Sequence, residues 1–200
     1  MKTTHTHSTT FVTSMFALVG LIATTCCAEE PPQTSSDPKQ VAIALEAALA
    51  KLSKEDRAAA DAQRYCPVLD TSRLGAMGTP VKIMIDGKPV LLCCASCEVK
   101  ARTDSKKTLA NVEKLKKATA AMSKLSATDL PLAEAQLLCP IHEGSRLGSM
   151  GAPVKVVLDG QTVFLCCKGC ETAARKDAKA TLTKVEEIKK SIVKADAGDK

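Results

Sequence analysis

The chain has 200 residues, a formal net charge of +6, ten cysteines, no tryptophan and an aromatic content of only 2%. That length fits one or two small domains, and so few rings exclude both an aromatic-filled core and a platform for stacking bases. The lysines lie mostly in 105–124 and 176–194, mixed with Glu and Asp. They read as solvated helix faces, and no nucleic-acid partner is expected.

Taken in chain order, residues 1–28 have the anatomy of a signal peptide. Lys2 gives a basic start, Phe11 to Ala23 an apolar middle, and small residues lead to a cleavage site after Ala28. The apolar run is about a dozen residues where a membrane span needs roughly 20, so an exported, periplasmic or secreted protein without a stable membrane span is expected. A lipid anchor on Cys26 or Cys27 is the rival reading. The preceding Ala23-Thr24-Thr25 lacks the leucine that such signals carry three positions upstream. With the leader removed, Lys2 goes and the charge falls from +6 to +5, while Tyr65 and Phe164 are the only rings left. Small modules with thin cores need disulfides, a metal or a partner to stay folded.

Residues 29–50 form a helical lead, capped near Ser36-Asp37-Pro38 and running through VAIALEAALAKL. From there the chain repeats itself at a spacing of 73 residues. Cys66-Pro67 matches Cys139-Pro140, SRLGAMGTPVK matches SRLGSMGAPVK, and 66–102 matches 139–175 at 21 of 37 positions without a gap. Two copies are too few for a solenoid and read as two sibling domains, 51–123 and 124–196. In the first copy, Ser53 with Asp56 predicts a helix start. The loop SRLGxMGxP follows Cys66, and its glycines supply backbone angles other residues resist. VKIMI-DG-KPVLL then predicts a hairpin turning at Asp86-Gly87, and VKVVL-DG-QTVFL repeats it around Asp159-Gly160. A cysteine cluster comes next, and CEVKARTDSKKTLANVEKLKKA continues as helix.

Each copy carries C-x26-CC-x2-C. The candidate ligands are Cys66, Cys93, Cys94 and Cys97, and Cys139, Cys166, Cys167 and Cys170. Four thiolates converging between a hairpin and a helix would make a tetrahedral cage for zinc, and soft thiolates also suit copper(I). A helix N-terminus beside them favours the thiolate. Two readings compete with the metal: a disulfide-stapled module, whose lysine-bearing helices would meet an anionic partner, and a thiol–disulfide redox protein. Vicinal Cys93-Cys94 do not readily bond to each other, and no βαβ unit precedes the CxxC. Met77 and Met150 either pack under the hairpin or offer a thioether to copper. His142, aligned with Leu69, reads as a loop residue or an extra ligand. Arg73 and Arg146 recur in the glycine loop and would bond loop carbonyls. No Ser-His-Asp set, carboxylate pair or phosphate loop stands after the leader, so no enzyme is expected.

A lone Cys, a hairpin and C-x3-C leading into a helix resemble the TRASH and YHS-type metal-binding domains. The motif falls on Cys66, Cys93 and Cys97 and on Cys139, Cys166 and Cys170, and the tails TDSKKTL and KDAKATL also look like that family. The resemblance covers roughly 66–112 and 139–185. It implies an α+β fold of two tandem treble-clef-like modules (β-hairpin plus helix) with flanking and connecting helices. It also implies one zinc or copper ion per repeat and a metal-handling partner. The gap before the second Cys is longer than in that family, the Tyr-His-Ser element is absent, and Cys94 and Cys167 stand where it carries serine.

Overall fold

The computed structural model describes residues 38–196; the leader, Cys26, Cys27 and the Ser36-Asp37 cap lie outside them. The fold is α+β, and the described part reads twice through the same order. The first pass is α1 (Pro38–Leu49), α2 (Lys54–Gln63), β1 (Val81–Ile85), β2 (Lys88–Leu92), α3 (Cys97–Thr103) and α4 (Ser105–Met122). The second is α5 (Asp129–Gln136), β3 (Val154–Leu158), β4 (Gln161–Leu165), a 3₁₀ turn (Lys168–Cys170), α6 (Glu171–Lys176) and α7 (Ala178–Asp196). No helix among the described residues is long and apolar enough to cross a membrane.

Local chemistry explains most of these boundaries. The hydroxyl of Ser53 accepts the N–H of Asp56 at 3.1 Å and starts α2. Both hairpins pair antiparallel, Ile83 opposite Val90 and Val156 opposite Val163. Asp86 and Gly87 turn with φ of 49° and 73°, the pair of positive angles that matches strand twist in a two-residue turn. The helix expected after each cysteine cluster is broken in two. Asp104 leaves helical geometry and its carboxylate accepts the N–H of Lys107 at 3.1 Å, while Asp177 does the same for Ala180 at 2.9 Å. A short carboxylate that caps competes with helix continuation. Buried Thr108 then fixes the corner by donating to the carbonyl of Ala101 at 3.0 Å.

The cores are aliphatic. Leu45, Leu49, Leu74, Ile83, Ile85, Val90, Leu92 and Val112 surround the first cysteine cluster; Met122, Leu147, Val156, Leu158, Val163, Phe164, Leu165 and Val185 surround the second. Phe164 is the only ring in either core, and Tyr65 sits between the repeats with Leu115 and Leu137.

The buried stripe of α4 links the two. Val112 packs in the first core, Leu115 between the repeats, and Met122 in the second core. Thr108, Val112, Leu115, Ala118 and Met122 fall at helical spacing, so one helix closes one module and roofs the next. The glycine loop of the second module meets that roof directly. A Cβ on Gly148 would lie 2.4 Å from the carbonyl oxygen of Ala118. In the first module α1 takes that place, with a Cβ on Gly75 lying 3.1 Å from the carbonyl oxygen of Leu45. Leu45 and Ala118 are themselves 73 residues apart, so α1 corresponds to the second half of α4.

Candidate metal centre

Each site is built along one edge of a hairpin. Leu91 pairs with β1 through one register only, and its outward N–H and C=O are taken by the side-chain amide of Gln63. The Gln63 oxygen accepts from Leu91 N at 3.2 Å, and Nε2 donates to the carbonyls of Leu91 at 2.6 Å and Tyr65 at 2.9 Å. Gln136 repeats this on Phe164 and Leu138 at 2.9, 2.6 and 2.9 Å. The amide stands in for a missing neighbouring strand and pairs both outward backbone groups of Leu91 in one repeat and of Phe164 in the other. Directly after it the chain turns sharply. Tyr65 N–H bonds back to the carbonyl of Gln63 at 2.8 Å around Arg64, whose φ is 65°; Leu138, Gln136 and Leu137 (φ 62°) do the same at 2.7 Å. Such γ-turns with positive φ are rare and strained in non-glycine residues. The turn delivers Cys66 beside Cys93, just past the end of β2, where the Cys93 N–H favours its thiolate.

Three sulfurs therefore converge in each repeat. The Sγ atoms of Cys66, Cys93 and Cys97 all lie within 4.8 Å of one another, as do those of Cys139, Cys166 and Cys170, and all six residues are buried. The separations are 3.7 Å for Cys93–Cys97, 3.7 Å for Cys166–Cys170 and 3.9 Å for Cys139–Cys170. A metal–sulfur bond of about 2.3 Å places two sulfurs of a tetrahedron about 3.8 Å apart, so the spacing fits an ion. All eight described cysteines are free, and these distances are far above the roughly 2.05 Å of a disulfide. Cys94 and Cys167 stand at the rim, half-buried, and do not belong to the mutually close sets.

The protons follow from this packing. A hydrogen bond from Cys93, together with the N–H groups of Cys93, Leu69 and Val68, outweighs burial and holds the Cys66 thiol down at about 5. The same bond pushes Cys93 well above its ordinary range, and burial followed by the charge of Cys66 pushes Cys97 up to about 12. In the second repeat burial opposes ionisation of Cys139, but the N–H groups of Cys166, His142 and Ile141 outweigh it and its thiol is lowered. Burial raises Cys166, and raises Cys170 to about 11. Backbone N–H groups aimed at a sulfur favour the charged form that a metal requires.

The other candidates lie elsewhere. His142 is exposed and hydrogen-bonded to Ser145. Met77 and Met150 are exposed rather than packed under their hairpins, at 44% and 60%. The arginines of the glycine loops bind across the repeat boundary. Arg146 donates to the carbonyl of Asp70, as a loop-carbonyl bond predicts, and its guanidinium lies 4.0 Å from the centre of the Tyr65 ring. Arg73 instead joins Arg64 on the carboxylate of Glu134, at 3.4 and 2.6 Å. Gln63 and Gln136 were not anticipated from sequence. Their signal was present, since AQ ends both α2 and α5 in an otherwise diverged stretch.

The chain matches no family model, no curated protein and no solved structure.

Proposed function

We propose that this is a metal-binding protein that holds one thiophilic ion per repeat, zinc or copper(I), on Cys66, Cys93 and Cys97 and on Cys139, Cys166 and Cys170. One observation carries this reading. Two buried sulfur triads, each with every sulfur within 4.8 Å of the others, recur at the same place in both copies. Soft thiolates select these ions over hard cations. The order of lone cysteine, hairpin, cluster and helix supports a treble-clef-like, TRASH-type module. The sequence of 1–28 supports export to an oxidising compartment, where a bound ion would also protect the thiols. The role we infer is binding and handling, not catalysis.

Elemental analysis with a thiol count on full-length protein from its own compartment tests this. Two ions per chain, with thiols that resist alkylation until a chelator is added, are expected. Protein with no metal and no free thiols would instead establish the disulfide-stapled module and end the metal reading.

A further inference from the structure

Each repeat has more thiols than its buried set uses. The triad sulfurs belong to residues no more than 6% exposed, whereas Cys94 and Cys167 are half-buried and flanked by exposed Ala95 and Ser96, or Lys168 and Gly169. An acceptor cannot reach the triad without rearranging the hairpin, yet it can touch the rim thiol. That thiol is already within reach of the triad's place. Cys94 Sγ lies 3.5 Å from Cys97 Sγ and 3.8 Å from Cys93 Sγ, and Cys167 Sγ lies 3.7 Å from Cys170 Sγ. Sulfurs about 3.8 Å apart bond a common ion without backbone movement. On its outer side Cys94 is held 3.0 Å from the exposed hydroxyl of Ser96. The hydroxyl of a serine in place of this cysteine would be a poor ligand for a soft ion.

We propose that Cys94 and Cys167 are relay ligands, through which the ion held by each buried triad passes to a thiol-bearing acceptor. The inference rests on the metal-binding reading above. The exchange is a substitution, not a redox step. The rim thiolate bonds to the ion as one triad sulfur lets go, and the acceptor's thiolate then bonds to the ion as the rim sulfur leaves. The metal keeps its oxidation state, and the protons given up by the acceptor's thiols are taken up by the sulfurs of this chain that are released.

The test compares full-length protein with the Cys94→Ser/Cys167→Ser double variant. Both are loaded with copper(I), then mixed with excess dithiothreitol as the thiol acceptor, and the protein-bound ion is followed by native mass spectrometry. The variant should still hold two ions, because each triad is intact, and should release them at least ~10-fold more slowly, equivalent to about 1.4 kcal/mol on the exchange barrier. Equal or faster release, or a variant that fails to load, would show Cys94 and Cys167 to be bystanders or resident ligands and would overturn the relay. Wild-type protein that binds no copper would instead defeat the metal reading on which the relay depends.

Discussion

The two repeats differ most in what covers them. The first is roofed by α1 and the second by the far half of α4, a helix whose near half belongs to the first repeat. The matching glycine loops therefore meet different neighbours. Gly75 faces Leu45 and Leu49 with a Cβ clearance of 3.1–3.3 Å, and Gly148 faces the Ala118 backbone at 2.4 Å. The loop arginines diverge as well, Arg146 onto a ring and a carbonyl and Arg73 onto a carboxylate. Two diverged copies thus each keep three sulfurs within 4.8 Å of one another while their surroundings are asymmetric. The site depends on contacts inside the repeat, and the asymmetry lies in what joins the repeats.

The sharpest way to probe how the repeats are joined is to remove one site at a time. Cys139→Ser and Cys66→Ser should each lose one ion. Because α4 packs in both cores, each should also weaken the remaining site by a similar few-fold factor, as reciprocal coupling requires. Structural zinc contributes on the order of 10 kcal/mol in small domains, so each loss should be plain in a metal titration. Loss of both ions from Cys139→Ser would mean one shared site. A smaller effect is expected at the roofs. Gly148→Ala meets a carbonyl oxygen as well as an unfavourable φ of 88° and should destabilise by ~3–4 kcal/mol in denaturant unfolding. Gly75→Ala has the same kind of unfavourable φ, at 97°, but its Cβ lies 3.1 Å rather than 2.4 Å from the facing carbonyl oxygen, and it should lose less, ~1–2 kcal/mol. Equal losses would show that α4 yields as readily as α1. Smallest are the arginines. Arg146→Ala gives up a half-buried stack on Tyr65, worth ~1–2 kcal/mol, whereas Arg73→Ala breaks a partly exposed ion pair and should change stability by about 0.5 kcal/mol or less. A larger loss from Arg73→Ala would move the weight of the boundary to Glu134.

Much of this was readable in sequence because its causes are local. Asp86-Gly87 sets its own turn, Ser53 caps the residue three ahead, and the 73-residue register aligns the cysteines without any fold. The helix break at Asp104 has a local cause too, but a carboxylate in a lysine-rich helical stretch also reads as a surface charge. What stayed hidden depends on distance. Gln63 looks like one more polar residue at the end of a helix, and its partner Leu91 is 28 positions away on a strand edge. The γ-turn at Arg64 runs against local preference and is held by the pairing on either side, where Leu74 N–H bonds the carbonyl of Arg64 at 3.0 Å and Cys66 N–H bonds Ser72 at 2.9 Å. The division of α4 between two cores could not be seen because its apolar spacing is continuous. Periodicity shows that a helix has a buried face without showing how many cores it serves.

The roofing helix also has a consequence in time. A chain made from its N-terminus emerges at about 5–20 residues per second, and domains tend to fold in that order. Here the roof always precedes the module it covers: α1 is finished before the first hairpin, and α4 before the second. Each cysteine cluster thus emerges after the surface it will close against. During synthesis, dependence runs one way: the first module can close before the second has emerged, whereas the second closes only against α4.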